Sequence, residues 1–218
     1  MYNLVMKDLK LGVSPIFLIM PLLTGALMLI PGWIYFLVPL YFCWITVPNV
    51  FAGFKAQNDL IFTTMMPVTK QDMVKARVAV IVILEILHIA IAMIFGAITL
   101  RLYPDLIYYF FAPYMGFWGL CLAMLAIFNL IFIPMYYKTA YKYGKAAFAS
   151  IAAAMLFAGI AQWQGIGNSY VADIFIGAGA DNTALQLSIL IAGIVIFVAF
   201  TAIAYRIGVK RFLKVEAQ

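Results

Sequence analysis

Charged residues are scarce in this chain of 218 residues, of which only 10% are Asp, Glu, Lys or Arg. An average soluble domain contains about 25% charged residues. Hydrophobic residues make up 67%, which is more than a chain of this length can hide from water. The composition therefore excludes a soluble enzyme, a secreted domain and a disordered tail, and it predicts an all-α integral membrane protein.

Histidine and cysteine are nearly absent. The chain has one histidine, and its two cysteines, Cys43 and Cys121, lie in apolar runs, which argues against a disulfide framework or a metal centre. No GxxxxGK[ST] motif is present, and no segment is long enough for a nucleotide-binding domain. The net charge of +6 is not clustered as in a nucleic-acid groove. We expect no catalytic residue, no bound cofactor or metal, and no nucleic-acid partner.

Long runs without charge predict six transmembrane helices in one membrane domain spanning residues 1–218. A helical crossing needs about 20 residues, so the uncharged run from Leu11 to Phe54 holds two, with a turn at Pro31-Gly32. Residues 107–112 are expected to form an interfacial segment. The predicted crossings are 13–30, 33–54, 78–100, 114–135, 146–162 and 185–205.

The placement of basic residues orients these crossings. Thirteen of the 14 Lys and Arg residues fall on one side of the membrane, and only Arg101 falls on the other. Cytoplasmic loops carry such an excess of basic residues. We therefore expect both termini and segment 55–77 in the cytoplasm, segment 163–184 outside, and the chain in the cytoplasmic membrane of the cell as a multi-pass protein.

Residues 1–12 show an amphipathic helical pattern that would lie along the inner leaflet of the lipid bilayer. Such a helix is either a membrane anchor or an elbow that transmits energy from a partner, and the pattern does not separate the two. The apolar positions are Tyr2, Val5, Met6 and Leu9, and the polar positions are Asn3, Lys7 and Lys10.

Segment 55–77 combines helix signals with an apolar group at the cytoplasmic side. Asn58 or Asp59 can cap a short helix, Pro67 ends it, and Thr69 with Asp72 can begin the next one. Exposed apolar groups with a polar rim usually mark a contact with a protein or a membrane. An interfacial helix resting on lipid headgroups is the alternative. The apolar residues are Leu60, Ile61, Phe62, Met65 and Met66.

Residues 66–77, MPVTKQDMVKAR, resemble the stretch L-P-[IV]-[ST]-R-x-[DE]-[IF]-V-x-[AGS]-[KR] of ABC-2 type transporter permeases. The Lys7-Asp8 pair after an amphipathic helix, the six crossings and the length of the chain also match that family. Met66 stands for the usual Leu and Lys70 for the usual Arg. Lysine cannot form the bidentate contacts of arginine.

The resemblance implies a permease homodimer, or two related permeases, bound to two copies of a separate ABC ATPase that carries ATP and Mg. It makes residues 58–65 the coupling helix that docks into the ATPase. It also implies an exporter of amphipathic peptides, such as phenol-soluble modulins or bacteriocins. The residues assigned to coupling are Asn58, Asp59, Leu60, Phe62, Met65, Met66, Pro67 and Lys70.

Glu85 and His88 lie on one face of the third predicted crossing. Ionisable residues at this depth face a bundle interior or a wet cavity. They either line a substrate or proton path, or they form hydrogen bonds to each other or to neighbouring helices. A stand-alone channel or a proton-coupled carrier using this pair is one alternative function. A non-transporting scaffold or immunity protein is another.

Two further groups of residues are candidates. Small residues four apart on the fifth predicted crossing allow close helix packing, either within one subunit or at a dimer seam, where the family resemblance places the first and fifth crossings. Aromatic residues near the outer surface form either an outer gate or an ordinary interfacial belt. The seam candidates are Ala146, Ser150, Ala154 and Ala158, and the gate candidates are Tyr108, Phe111, Tyr114, Trp118, Tyr170 and Phe175.

The six-crossing topology predicts the accessibility of single cysteines introduced into the chain. Sites near Lys70, Tyr141 and Lys214 should react with a membrane-impermeant reagent only from the cytoplasm, because they flank the basic loops. Sites near Asp105 and Ala180 should react only from outside. Labelling of Asp105 and Tyr141 sites from the same side would remove the fourth crossing and contradict the topology.

Overall fold

The computed structural model describes residues 2–139 and 142–215, without the side chains of Leu11 and Ala178. In this part of the chain the regular secondary structure is entirely helical, and there is no β-strand. Tyr141 lies outside the described residues. The helices are α1 (Tyr2–Lys7), α2 (Ile16–Gly25), α3 (Leu37–Tyr41), α4 (Val47–Ala56), α5 (Asp59–Thr64), α6 (Lys70–Leu102), α7 (Met115–Thr139), α8 (Gly144–Gly167), α9 (Ser169–Phe175) and α10 (Thr183–Leu213).

Five helical segments of the described chain are long and apolar enough to cross a membrane. They correspond to the second to sixth predicted crossings, which supports a multi-pass membrane protein. α6, α8 and α10 extend beyond their predicted bounds at both ends, because helix formation continues past the apolar run into polar sequence. The five segments are Leu37–Ala56, Lys70–Leu102, Met115–Thr139, Gly144–Gly167 and Thr183–Leu213.

The first predicted crossing, 13–30, corresponds to a shorter apolar helix. α2, with 10 residues, continues into a 3-10 turn of 4 residues, Ala26–Leu29, so that the helical segment Ile16–Leu29 has 14 residues. Its length is about 21 Å, less than the roughly 30 Å of the hydrocarbon core. Its end is set by Pro31-Gly32, where Gly32 has a φ of 69° that favours glycine. The first crossing, and with it the total of six, and the orientation of the termini remain predictions.

Two π-helical turns interrupt the N-terminal third of the fold. One, Asp8–Gly12, follows α1. The other, Phe42–Thr46, joins α3 to α4 and ends two residues before Pro48. A proline in a helix lacks the N–H donor that an α-helix needs, and wider turns accommodate that loss. Residues 103–114, which contain the predicted interfacial segment, have no regular helix.

α7 lies at the centre of the bundle and is the most buried of the five candidate spans. α10 packs closely against it through glycines: a Cβ at Gly119 would come within 2.5 Å of the Ile189 carbonyl oxygen, and a Cβ at Gly193 would overlap the backbone of Gly119. The backbones of the two helices are therefore in direct contact, as small residues permit in membrane proteins.

Replacing Gly193 by leucine should destabilise the bundle, because the added side chain has no space between α7 and α10. Overpacking of this kind costs about 1–3 kcal/mol or more, since backbone atoms cannot yield as a side-chain end can. Thermal unfolding in detergent measures the effect. Gly159→Leu is the matched control, because no atom lies within 4 Å of a Cβ at that position. Equal melting temperatures for the two variants would contradict the close contact.

Candidate coupling site

The described structure contains the short helix that the sequence predicts in segment 55–77. α5 has 6 residues, Asp59–Thr64, and follows α4 after a two-residue turn. Asn58 holds this turn with φ 50° and ψ 34°, a left-handed conformation that asparagine tolerates better than most residues. Its side chain makes no capping hydrogen bond, so the predicted side-chain cap at Asn58 is wrong.

The predicted start of the following helix is confirmed. Thr69 is the N-cap of α6: its Oγ1 accepts a hydrogen bond from the Asp72 backbone N–H at 3.0 Å and donates one to Asp72 Oδ2 at 2.6 Å. Such a reciprocal pair satisfies an otherwise free N–H at the helix terminus. Pro67 is exposed between the two helices. α5 is therefore separated from α6 by a short connection that is capped on the α6 side.

Four charged side chains from three parts of the chain meet behind α5. Lys7 Nζ lies 2.7 Å from Asp59 Oδ1 and 3.1 Å from Asp8 Oδ1. Arg77 Nε donates to Asp8 Oδ2 at 2.8 Å, and Arg77 Nη2 donates to Asp59 Oδ2. Two cations and two carboxylates thus alternate in a closed ring. We call Lys7, Asp8, Asp59 and Arg77 the ionic cluster.

The ionic cluster joins α5 to α6 and to the N-terminal segment of residues 2–12, which we call the elbow. Its side chains are at most 13% exposed, so they are largely out of water. Removing one partner from a buried ion pair leaves an uncompensated charge and is strongly destabilising. Lys7 also donates to Thr63 Oγ1 at 2.7 Å, which adds a second contact one turn along α5. The amphipathic pattern places Lys7 on the polar face of the N-terminal helix, and the structure turns its ammonium group inward to these carboxylates.

Aromatic packing fixes the Arg77 guanidinium in this position. Its Cζ lies 3.3 Å from the centroid of the Phe54 ring, within the range of a cation–π interaction. The Phe54 ring fills the space that a side chain at position 12 would occupy. Gly12 ends the π-helical turn that begins at Asp8. The absence of a side chain at Gly12 therefore lets the elbow approach α4 closely enough for Asp8 to reach Arg77.

The charges in the ionic cluster determine the ionisation of Asp59. Burial acts to raise the pKa of Asp59, but the positive charges of Arg77 and Lys7 and their hydrogen bonds outweigh it, so the pKa lies below its ordinary value. Asp59 is therefore ionised under neutral conditions. Its ion pairs are present above its ordinary pKa and are lost as the pH falls through the lower pKa of the folded state.

A cleft of about 290 Å³ lies beside the ionic cluster, between α5 and the C-terminal ends of α7 and α10. Tyr136, Tyr137 and Phe212 line its far wall. A gap of this size removes the dense packing that otherwise holds neighbouring helices together. The charged contacts, together with the half-buried Leu60, are therefore the main attachment of α5 to the rest of the chain.

The outward face of α5 is apolar. Ile61, Phe62 and Met65 are 52%, 56% and 80% exposed. Leu60 is only partly exposed and packs against the core, so Ile61 takes the place in the exposed patch that the sequence prediction gave to Leu60. We call Ile61, Phe62 and Met65 the docking patch. A patch of this kind on a polar helix marks a contact surface.

The remaining coupling candidates do not extend the docking patch. Met66 is partly exposed. Lys70 donates to the Val215 carbonyl at 2.6 Å and lies over the Phe212 ring, so its ammonium group is used within the chain. This contact ties the start of α6 to the end of α10. The lysine that stands for the family's usual arginine therefore has an internal partner.

Glu85 and His88 form hydrogen bonds to neighbouring helices and, in the described residues, not to each other. Asn129 Nδ2 on α7 donates to Glu85 Oε2 at 2.9 Å. His88 Nε2 lies 3.0 Å from the Val38 carbonyl oxygen, which can only accept, so Nε2 carries the proton. Thr24 on α2 is also in contact, at 3.4 Å. Both side chains are buried in the bundle interior.

The candidates for a dimer seam are turned into the subunit. All four are buried against the rest of the same chain, as the interpretation of packing within one subunit requires, so they offer no free surface to a second copy. Ser150 uses its hydroxyl on the Ala146 carbonyl one turn earlier. The residues concerned are Ala146, Ser150, Ala154 and Ala158.

Most of the candidates for an outer gate form a packed cluster. Tyr108, Phe111, Trp118 and Phe175 are buried, Tyr114 is partly exposed, and only Tyr170 is largely exposed, at 74%. Phe111 stacks on Phe175 with ring centroids 4.6 Å apart. This stacking holds α9 against the residues that precede α7.

Sequence analysis missed three polar residues that join distant segments. Asp8 and Arg77 are 69 residues apart, and nothing in local spacing indicates that they pair. Gln186 on α10 accepts from the Gly116 N–H at 2.8 Å and donates to the Ile174 carbonyl at 2.7 Å, fastening α9 to α7. The family resemblance includes both the Lys7-Asp8 pair and the motif that ends at Arg77, but it indicates no partner for Asp8 or Arg77.

Comparison with known families identifies the chain. The family model described as ABC-2 family transporter protein matches residues 3–212. This match covers nearly the whole chain. The chain belongs to the ABC-2 family of transporter proteins. The predicted resemblance is confirmed, and no curated protein and no solved structure gives a significant match.

Membership of the ABC-2 family makes the chain a membrane-spanning permease subunit. Such subunits have no ATPase site of their own, and the family implies an ABC ATPase partner. Within the part of the chain that the structure describes, no group of three or more His, Cys, Asp or Glu residues could hold a metal ion.

Replacing Asp59 by asparagine should destabilise this ABC-2 permease by about 2 kcal/mol at neutral pH, because hydrogen bonds to charged groups are lost. The difference between the melting temperatures of wild type and variant, measured as a function of pH, checks this. The difference should be largest at neutral pH and should shrink as the pH falls below about 4, because Asp59 of the unfolded chain takes up a proton there and Asp59 of the folded chain does so at its lower pKa. A difference that does not change with pH would contradict the electrostatic role.

Proposed function

We propose that the chain is the permease of an ATP-driven exporter, paired with a second copy of itself and bound to two copies of a separate ABC ATPase. The substrate class we propose is an amphipathic or hydrophobic peptide, which moves from the cytosol or inner leaflet to the outside. The cytoplasmic membrane, with six crossings and both termini inside, is the proposed location. ABC-2 family membership supports the transport role over a scaffold or immunity role.

One observation supports this proposal most directly. α5 presents the docking patch outward, while the ionic cluster anchors the opposite side of the same helix to the elbow and to α6. A helix that only rested on lipid would not require a buried ring of four charges behind it. A helix held in this way would transmit a displacement by the ATPase to the elbow and to α6.

The path of that force follows the covalent structure. α6 begins at Lys70, a few residues after α5, and continues without interruption for 33 residues, about 50 Å. Arg77 lies about two turns from the start of α6, and its guanidinium donates a hydrogen bond to Asp59 on α5. A displacement of α5 by the ATPase would therefore move α6 and the elbow together. That displacement would separate or rotate the two permease subunits and open a path for substrate.

Substituting the docking patch should abolish binding of the ATPase. Phe62→Asp combined with Met65→Asp places two charges in an apolar contact, and the loss of two such anchors should weaken association by about 100-fold or more. Co-purification of the ABC ATPase with a tagged full-length chain, followed by substrate-stimulated ATP hydrolysis, measures this. Membrane insertion should be unchanged.

Gln57→Asp is the matched control for charge. Gln57 is exposed in the turn before α5 but is not part of the docking patch, so this variant should keep its ATPase. If the Phe62/Met65 variant still binds the ATPase and supports the same rate of hydrolysis, the docking assignment is wrong. If wild type captures no ATPase at all, the proposal of an ATP-driven exporter is wrong.

A further inference from the structure

Glu85 lies in the middle of α6 and is completely buried. Its partner Asn129 on α7 is equally buried, and the same Asn129 Nδ2 group lies 3.3 Å from Thr201 Oγ1 on α10. One carboxyl, one amide and one hydroxyl thus bring three helices together at the centre of the bundle. Nothing in the coupling site uses these residues.

Two atoms of this group, Glu85 Oε1 and Asn129 Oδ1, have no hydrogen-bond partner among the residues that the structure describes. Buried polar atoms in folded proteins are nearly always paired. The two side chains already share one hydrogen bond, from the amide N–H to Oε2. A proton on Glu85 Oε1 that is donated to Asn129 Oδ1 would satisfy both remaining atoms and close a ring of two hydrogen bonds. The last torsion of each planar group is soft enough to bring the two oxygens together.

The alternative orientation of the amide leads to the same protonation state. If Asn129 Oδ1 occupied the position facing Glu85 Oε2, two oxygens would lie 2.9 Å apart. An amide oxygen has no proton to donate, so the carboxyl would have to supply it. A proton on Glu85 therefore satisfies the unpaired atoms in the first orientation, and the second orientation requires it.

No positive charge near Glu85 would balance an ionised carboxylate. Glu85 makes no ion pair in the described residues, and Arg77, two turns earlier on α6, is paired with Asp8 and Asp59. The neighbouring titratable groups are His88 on the same helix and Cys43 in the Phe42–Thr46 turn. A charged His88 would need a second acceptor for Nδ1, which has no partner. An unpaired buried carboxylate costs several kcal/mol.

We propose that Glu85 is a neutral carboxylic acid that forms a two-hydrogen-bond pair with Asn129, and that this pair is a clasp holding α6 to α7, with Thr201 adding α10. Glu85 is then a positioning residue. It neither binds a cationic substrate group nor carries protons. Since α6 continues from the coupling segment, the clasp is the point at which movement of α6 reaches the centre of the bundle.

Infrared difference spectroscopy tests the protonation state directly. The spectrum of the wild-type chain in lipid bilayers minus that of Glu85→Gln should show the carbonyl stretch of a protonated carboxylic acid, which is resolved from the carboxylate bands. We expect this band from mildly acidic to mildly alkaline pH. A carboxylate band in its place at neutral pH would overturn the proposal.

Thermal stability tests the clasp separately from its protonation. Glu85→Gln presents an N–H in place of the O–H and should form the same ring with Asn129, so its melting temperature should equal that of wild type from mildly acidic to mildly alkaline pH. Asn129→Leu leaves the acid without its partner and should lower the melting temperature by about 4 °C or more. If Glu85→Gln loses as much stability as Asn129→Leu, a charged carboxylate is required and the proposal fails. Neither measurement depends on an ATPase or on a substrate.

Discussion

The positive charge of Arg77, buried at the start of α6, is the constraint on which the coupling end of this protein depends. A guanidinium cannot lose its proton, so the chain must bring negative charge to it. It does so from two distant places, Asp8 in the elbow and Asp59 in α5, and Lys7 then balances both carboxylates. The requirement to neutralise one cation thus gathers three segments that lie far apart in the sequence.

This arrangement explains how a helix of only 6 residues can have a defined orientation. Isolated helices of that length are not stable in water. The left-handed turn at Asn58 sets the direction of α5, and ion pairs at Asp59 with the hydrogen bond at Thr63 set its rotation. Because these contacts hold one face of α5 against the rest of the chain, the apolar docking patch on the opposite face is exposed. The electrostatics of the inner face therefore determine the chemistry of the outer one.

Five of the six predicted crossings and the helix boundary at Thr69 could be predicted from the sequence, because runs without charge and capping residues act locally. The rotation of α5 about its axis could not be predicted. Successive residues of a helix point in directions about 100° apart, so the contact with the remote Lys7 decides whether Leu60 or Ile61 faces outward. The α8 stripe from Ala146 to Ala158 was ambiguous for a related reason, since small residues pack equally well inside a subunit and between subunits. Pairing across 52 to 69 residues leaves no trace in local spacing.

In the proposed coupling mechanism, the elbow, α5 and the start of α6 move as one rigid body when the ATPase binds ATP. Pulsed electron spin resonance on the ATPase-bound permease tests this directly, with spin labels at the exposed positions Asn3 and Thr64. The distance from Asn3 to Thr64 within one subunit should stay constant when ATP binds, while the distance between the two Thr64 labels of the paired subunits changes. A change in the Asn3–Thr64 distance on ATP binding would contradict the account.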